Sequence, residues 1–233
     1  TDLAVLEISS FQLDHCETFR PRISAIMNIT QNHMDRYDHS MEKYAGSKAR
    51  IFMNQEADDA LIYDADDEQT VAIVQSARCR RIPFSIRQRL TEGAYVEDGT
   101  LVTALEGKRI DVINVNDISI KGPHNLYNAM AASLVGQLTG VGTASIRATL
   151  KNFKGVEHRQ EFVREVNGVR YYNDSKATSV EAVRYALQAY DQPIVLMLGG
   201  RDKGNDYSRI LELVEKHVRA IVAMGESADK IEK

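Results

Sequence analysis

The hydrophobic positions of this chain alternate between short, branched runs and longer stretches with helical period. Residues 3–8 and 23–29 are compact apolar runs bounded by polar loops, the pattern of buried strands. Residues 41–55 predict a helix, 60–63 a short strand, and 66–77 a second helix that opens on acidic residues. From Ala94 the pattern changes. Short strands at 94–97, 101–105 and 109–114 are separated by Asp98-Gly99 and Glu106-Gly107, two hairpin signals. Gly122-Pro123 then opens a helix over 125–138, and another follows at 143–152. A second unit begins near Val156, with a hairpin at 160–166 and 169–172 turning at Asn167-Gly168. A helix at 179–189, a strand at 193–198, a Gly-rich loop, a helix at 206–217 and a strand at 220–224 complete it. Such alternation predicts an α/β fold with parallel sheet covered on both faces.

Composition narrows the function classes. The chain has 233 residues and a net charge of −4, so no global basic field exists to hold nucleic acid or anionic lipid. No apolar stretch approaches the roughly 18 residues of a membrane span. Cys16 and Cys79 stand far apart with no metal-ligand spacing, which reads as a pair of reduced thiols. The chain opens on Thr1-Asp2 and closes on Asp229-Lys-Ile-Glu-Lys233, and both ends read as the interior of a longer protein.

Several residues stand out against this background. Glu7 lies at the carboxyl end of an almost wholly apolar run, where a carboxylate needs a cation, a donor or a proton unless it reaches water. Such strand ends are where ligands bind in open α/β sheets. In the helix at 41–55, Met41, Tyr44, Ala45, Ile51 and Phe52 form one stripe, and Lys48 falls on it. Lys43, Ser47, Arg50 and Asn54 form a separate polar stripe. Lys48 is therefore the inward lysine, either snorkelling at the core edge or held as a neutral, reactive amine. The loop Asn28-Ile-Thr-Gln-Asn-His33-Met-Asp35 suits a divalent cation or a phosphate, although a lone loop histidine is more often ordinary. Gly122-Pro-His-Asn125 stands at a helix start, where backbone N–H groups hold anions and Asn125 can read a base edge. Thr178-Ser-Val-Glu181 fits a capping box, giving Thr178 a structural task that Asp174 and Lys176 lack. Gly199-Gly-Arg-Asp-Lys203-Gly204 is either an anion-binding loop or a tight turn.

Together and in this order, these segments closely resemble the ATP-dependent Mur ligases, nearest to their D-glutamate-adding branch. The resemblance rests on Glu7-Ile-Ser-Ser-Phe-Gln-Leu13, Asn28-Ile-Thr…His33-Met-Asp-Arg-Tyr37, Lys48, His124-Asn-Leu-Tyr-Asn-Ala129, Glu157-His-Arg159 and Asn173-Asp-Ser-Lys-Ala-Thr178. It implies a central ATPase domain over 1–155 and the incomplete start of a Rossmann-like carboxyl-terminal domain over 156–233. By that likeness Glu7 and His33 bind Mg2+, and Lys48 carries a carbamate that helps hold a second Mg2+. Asn125 and Arg159 contact ATP, with Asp174 on the ribose side. Lys176, Thr178 and Lys203 lie toward the incoming amino acid and the reacting groups, and Lys48, His33 and Lys176 are the catalytic set. The implied substrates are UDP-N-acetylmuramoyl-L-alanine and D-glutamate, joined through an acyl phosphate by a monomeric cytoplasmic enzyme with no nucleic-acid or membrane partner.

Two departures accompany the likeness. The phosphate loop G-x-x-x-x-G-K-[ST] is absent, since the only Gly-Lys, Gly107-Lys108, lacks its flanking residues. The family places that loop upstream of Glu7, so the chain alone is expected to be inactive. Asn32 stands where the family usually has Asp before the histidine. The rival readings are an amide ligase for a different amino acid and a catalytically dead nucleotide-binding scaffold.

Overall fold

In the computed structural model, which describes residues 3–31, 34–201 and 204–232, the chain divides into two units. The first comprises Thr1–Ser119 and Asn125–Asn152, the second Ile120–His124 and Phe153–Lys233. In the first, a short helix α1 (Ser10–Leu13) leads to strand β1 (Ile23–Ile26), helix α2 (Met41–Ala49), strand β2 (Ala60–Asp64), helix α3 (Glu68–Val74) and strand β3 (Arg80–Ser85). Strands β4 (Gly93–Glu97), β5 (Thr100–Leu105) and β6 (Lys108–Asn114) follow, then helices α4 (Pro123–Leu138) and α5 (Thr143–Asn152). The strands form one sheet in sequential order. It is parallel from β1 to β4 and antiparallel from β4 to β6.

Side-chain alternation decides what covers each face. Leu61 of β2 joins Ile26, Tyr44, Ala45, Phe52 and Val74 in the core beneath α2 and α3. Its neighbour Ile62 points the other way and pairs in register with Ile82. On that second face Phe84 meets the ring of Tyr127 from α4 at 5.9 Å. The parallel strands are thus covered on both sides, as the alternation predicts. Helix α5 is tied to β6 by Arg147, which donates to Val112 O at 2.6 Å and Asp111 O at 3.0 Å. No helix among the described residues is long and apolar enough to cross a membrane.

Several elements differ from the sequence reading; the helix expected at 206–217, for one, opens as a 3-10 turn at Tyr207–Ile210. Residues 3–8 form no strand, and Leu3, Val5 and Leu6 are 62, 93 and 64% exposed. A run that is apolar on both faces is stable only between neighbours, and among the described residues β1 pairs with β2 alone. β1 also ends at Ile26 rather than at 29. The helix at 41–55 ends at Ala49 and tightens into a 3-10 turn at Arg50–Phe52. Strand β3 was hidden by Arg80, Arg81 and Pro83, none of them strand-like. Its Pro83 lies just outside the pairing with β4, which begins at Phe84↔Ala94, so the missing N–H costs that ladder nothing.

The second unit holds a hairpin, β7 (Glu161–Val166) and β8 (Val169–Asn173), then helix α6 (Val180–Gln188), strand β9 (Ile194–Gly199), helix α7 (Leu211–His217) and strand β10 (Val218–Met224). Asn167 and Gly168, at φ 51° and 78°, supply the left-handed turn the hairpin needs. β9 and β10 are parallel. Ile194, Leu196 and Leu198 pack with Val180, Val183, Leu187 and Ile210 beneath α6 and α7. Val195 and Met197 face the opposite way and are 65 and 68% exposed. Among the described residues this sheet is covered on one face only, because both helices join the same cluster.

Gly93 marks a close backbone approach. Its φ is +117°, and a Cβ there would stand 1.9 Å from Pro83 O. Gly107 has a φ of +75° with nothing within 4 Å. Gly107→Ala is expected to cost about 1 kcal/mol, the left-handed penalty alone. Gly93→Ala is expected to cost roughly 3 kcal/mol or more, since backbone must also move. Urea unfolding of the two variants checks this, and equal losses would contradict it.

Candidate active site

Helix α2 is built on two stripes. Its apolar side carries Tyr44, Ala45 and, just beyond its end, Phe52 into the core. Lys48 lies on that side, half-buried, with Nζ 5.2 Å from the centre of the Tyr44 ring. Burial pushes the Lys48 ammonium below the usual lysine range. No ion pair joins it to a carboxylate among the described residues, so the ring face is what stabilises any charge it keeps.

The polar stripe turns toward the chain. Ser47 is buried and reaches Asp14 Oδ1 at 2.5 Å and Ser10 O at 2.9 Å. Arg50 donates to Leu13 O at 2.9 Å and Cys16 O at 2.6 Å, and Asn54 to Glu17 O and Phe19 O. These bonds place α1. That helix is closed by a capping box in which Ser9 Oγ receives the Gln12 N–H and Gln12 Oε1 receives the Ser9 N–H at 2.8 Å. Ser-Ser-Phe-Gln-Leu therefore encodes a helix start, with Leu13 buried beneath it. Glu7 precedes this box and is exposed, outside any strand, instead of terminating a buried one.

The loop after β1 is fixed by Asp67, whose carboxylate receives the Ile29 N–H at 3.0 Å while capping α3 through the Thr70 N–H. His33 and Asn32 lie outside the described residues. The 3-10 turn Met34–Tyr37 follows them and buries Tyr37 against Tyr44, ring centres 5.3 Å apart. Among the described residues no group of three or more His, Cys, Asp or Glu side chains assembles for a metal. By residue type alone, Glu7 offers the oxygen ligand that Mg2+ favours, and burial favours the neutral form of the Lys48 amine.

At the carboxyl ends of β2 and β3 a second network forms. Asp66 accepts from Ser85 Oγ at 2.5 Å, from the Ile86 N–H at 2.8 Å and from Tyr127 Oη at 2.8 Å. The Tyr127 bond anchors the first turns of α4, where Asn125 is half-buried and receives a bond from Asn128 at 3.4 Å. Asp64 beside it is buried and titrates at about 6, raised chiefly by loss of solvent.

In the second unit the motifs at 157–159 and 173–178 come together. The Gln160 N–H bonds Asp174 Oδ1 at 3.1 Å, the Lys176 N–H bonds His158 O at 3.0 Å, and Asn173 Nδ2 meets His158 Nδ1 at 2.8 Å. Burial raises the Asp174 pKa, opposed by the Gln160 N–H and by the charge of Arg159. Arg159, Lys176 and Thr178 are exposed. The cap of α6 is Ser179, accepting from the Ala182 N–H at 3.2 Å, and not Thr178. The capping box fails because the cap lies one residue later, which puts Ala182 at the third helical position and leaves Glu181 to pair with Arg184. Lys203 lies outside the described residues. Gly199 and Gly200 ahead of it are tied to the end of β10, where the Gly200 N–H meets Met224 O and the Ser227 N–H meets Gly200 O.

Sequence reasoning gave no role to Asp14, Tyr37, Asp66 and Tyr127, whose partners are distant in the chain. It also missed His124, whose Nε2 lies 3.3 Å from Gln160 Nε2 and whose ring is 5.4 Å from that of Tyr185. Burial depresses the His124 pKa, which leaves the ring neutral.

Two family models match the chain, the Mur ligase middle domain over residues 1–136 and the Mur ligase glutamate ligase domain over 158–233. Among curated proteins, UDP-N-acetylmuramoylalanine–D-glutamate ligase of Salinibacter ruber is 45% identical over 237 residues, covering 100% of this chain and 52% of its own length. The enzyme of that name from Chloroherpeton thalassium is 46% identical over 243 residues, with 99 and 52% covered. The chain thus spans about half the length of the curated relatives it matches. Among solved structures, MurF from Acinetobacter baumannii superposes with a TM-score of 0.72 at 19% identity, covering 90% of this chain and 48% of that one. UDP-N-acetylmuramate-alanine ligase MurC from Thermotoga maritima gives 0.64 at 17%, covering 96 and 50%. At those identities the structures show a shared fold.

Asp64 gives this region a pH signature. Its folded value of about 6 lies above the ordinary 3.8, so the folded chain holds a proton that the unfolded chain releases between them. The stability this contributes is complete below pH 4 and lost as the pH rises through 6. The two values differ by an equivalent of about 3 kcal/mol. Asp64→Asn is expected to gain roughly 2–3 kcal/mol on the parent chain between pH 4 and pH 7. Urea unfolding at both pH values reads this, and a pH-independent difference would refute it.

Proposed function

The chain belongs to the Mur ligase family, and we propose that it is the nucleotide- and amino-acid-handling half of an ATP-dependent ligase that joins D-glutamate to UDP-N-acetylmuramoyl-L-alanine. Carrying this reading is the likeness to D-glutamate ligases along the whole chain; the half-buried Lys48 over Tyr44 is in keeping with it. The work divides between the two units.

In the proposed reaction the alanyl carboxylate attacks the γ-phosphorus of ATP, forming an acyl phosphate and releasing ADP. The D-glutamate amine then attacks the acyl carbon, loses a proton, and expels phosphate as the C–N bond forms. Mg2+, when bound, neutralises the phosphoryl oxygens as they approach the carboxylate. Glu7, His33 and a carbamate on Lys48 are the residues assigned to hold it. A neutral Lys48 amine would add carbon dioxide and lose a proton, giving a carbamate whose carboxylate suits a divalent ion.

Asn125, on a turn held by the Tyr127–Asp66 bond, and Arg159 are assigned to the nucleotide, with Asp174 toward the ribose. Arg159 supplies the bidentate charge that phosphate recognition favours. Lys176, whose N–H is fixed on His158 O, is assigned with Thr178 and Lys203 to the incoming amino acid and the developing charge. Relieved of capping by Ser179, the Thr178 hydroxyl is open to that role. The acyl phosphate demands exclusion of water and close positioning of the amine. The proposed enzyme is a cytoplasmic monomer acting on small molecules.

The test is phosphate release by the full-length protein with Mg2+, ATP and UDP-N-acetylmuramoyl-L-alanine, offering D-glutamate, L-glutamate, L-lysine or meso-diaminopimelate in turn. Release that requires D-glutamate is expected. Lys48→Ala is expected to lower it by roughly a hundredfold or more, the scale of lost metal-assisted charge neutralisation. Release with a different amino acid would overturn the substrate. No release with any of them would overturn the ligase reading.

A further inference from the structure

Residues assigned above to the nucleotide sit on two segments of the second unit, Arg159 on the turn before β7 and Asp174 on the loop after β8. The turn is held in an unusual shape. His158 and Gln160, on either side of Arg159, have φ of 67° and 47°. Residues other than glycine rarely adopt left-handed backbone, and they keep it where their surroundings hold them. Glu161 pairs in register with Asn173 at the open end of the hairpin, which brings the loop beside this turn.

One side chain joins the two segments. Asn173, the last residue of β8, is half-buried and uses both polar atoms of its amide. Its Oδ1 accepts the Ser175 N–H at 3.1 Å, which closes the loop on itself. Its Nδ2 donates to Glu161 Oε2 at 3.5 Å and lies 2.8 Å from His158 Nδ1. Glu161 Oε2 in turn accepts the His158 N–H at 2.9 Å.

The Ser175 N–H settles which way round the amide stands. A main-chain N–H can only donate, so the atom facing it is the oxygen, and the nitrogen faces His158 and Glu161. His158 Nδ1 therefore accepts, and the ring is the tautomer with its hydrogen on Nε2. Glu161 Oε2 and His158 Nδ1 stand 3.6 Å apart, two acceptors sharing the two hydrogens of one amide. Main-chain bonds run alongside, from the Gln160 N–H to Asp174 Oδ1 and from the Lys176 N–H to His158 O. Those bonds set the distance between turn and loop. Asn173 adds orientation, since a planar amide with three partners has few settings that satisfy them all.

We propose that Asn173 is a positioning residue for nucleotide binding, clamping the turn that carries Arg159 against the loop that carries Asp174. This rests on the assignment of Arg159 and Asp174 in the proposed function.

Two readouts on the full-length protein test it. Nitrogen NMR of the histidine rings, at a pH where they are neutral, distinguishes a ring nitrogen that carries hydrogen from one that does not. The His158 signals are identified by their loss in His158→Gln, and the parent is expected to carry the hydrogen on Nε2. Asn173→Asp keeps the Ser175 bond but turns the donor into an acceptor, so it is expected to move that hydrogen to Nδ1. A merely structural role would not move it. The second readout is binding of ADP with Mg2+, followed by titration calorimetry. Asn173→Ala and Asn173→Asp are each expected to weaken ADP by about tenfold. As a control on the same hairpin, Arg170→Ala breaks the bond to Gln192 and is expected to leave ADP affinity unchanged. A folded Asn173→Ala that binds ADP within about twofold of the parent overturns the proposal. If that variant does not fold, Asn173→Asp is judged by the same criterion. A parent His158 with its hydrogen on Nδ1, or a hydrogen unmoved in Asn173→Asp, overturns it as well. Arg159→Ala separates the two levels. If it weakens ADP while the Asn173 variants do not, only the positioning role falls; if it leaves ADP binding unchanged, the nucleotide assignment falls and the proposal with it.

Discussion

Carbonyl groups in a one-turn helix and the irregular segment beyond it must find donors or stay in water, and between Ser10 and Pro21 one edge of a single helix and the turn after it supplies them. Ser47 reaches Ser10 O, Arg50 reaches Leu13 O and Cys16 O, Asn54 reaches Glu17 O and Phe19 O, and Gln55 reaches Pro21 O. Gln55 is 1% exposed, and its amide oxygen accepts from Ser24 Oγ and Cys79 Sγ, carrying the line into the sheet. Each charge-assisted or buried bond here is worth on the order of 1–3 kcal/mol to break one-sidedly. The route of the chain from α1 to β1 depends on this edge.

The two edges of α2 divide two tasks that usually conflict. A lysine whose charge is to be suppressed must be kept from carboxylates, while a helix that anchors a loop needs polar groups. Putting Ser47, Arg50 and Asn54 on one edge and Tyr44, Ala45 and Lys48 on the other separates them by rotation about the helix axis. The nearby acids are engaged elsewhere: Asp14 with Ser47 and Tyr37, Asp38 with Lys43, Asp67 with Ile29 and Thr70. Lys48 is left with an aromatic face and a lowered pKa.

Much of this was legible in sequence, for definite reasons. Lys48 was identifiable because helical period alone puts it beside Tyr44, and the hairpins at Asp98-Gly99, Glu106-Gly107 and Asn167-Gly168 follow from residues that tolerate positive φ. Residues 3–8 misled because a bilaterally apolar run specifies a central strand only when neighbours exist on both sides. β3 was invisible because its charged and Pro positions carry no alternation, and its placement comes from pairing with β2. Thr178 and Ser179 were indistinguishable as caps, since the choice turns on a backbone angle at Ser179 of φ −130° and ψ 154°. Asp14 and Tyr127 were unreadable for a different cause. Their partners lie 33 and 61 residues away, and no local pattern encodes a bond across that span.

Apart from the Asp14 carboxylate, the acceptors along the edge of α2 are main-chain oxygens. Such a contact recognises the path of the loop and is indifferent to most of the side chains on it. His15, Glu17 and Thr18 are exposed, and nothing in the line of bonds depends on what they are. Substitution there is tolerated, while insertion or deletion of one residue shifts every downstream carbonyl out of reach of its donor. Drift in this segment is therefore expected in composition and forbidden in length. Its spacing, more than its letters, is the inherited quantity.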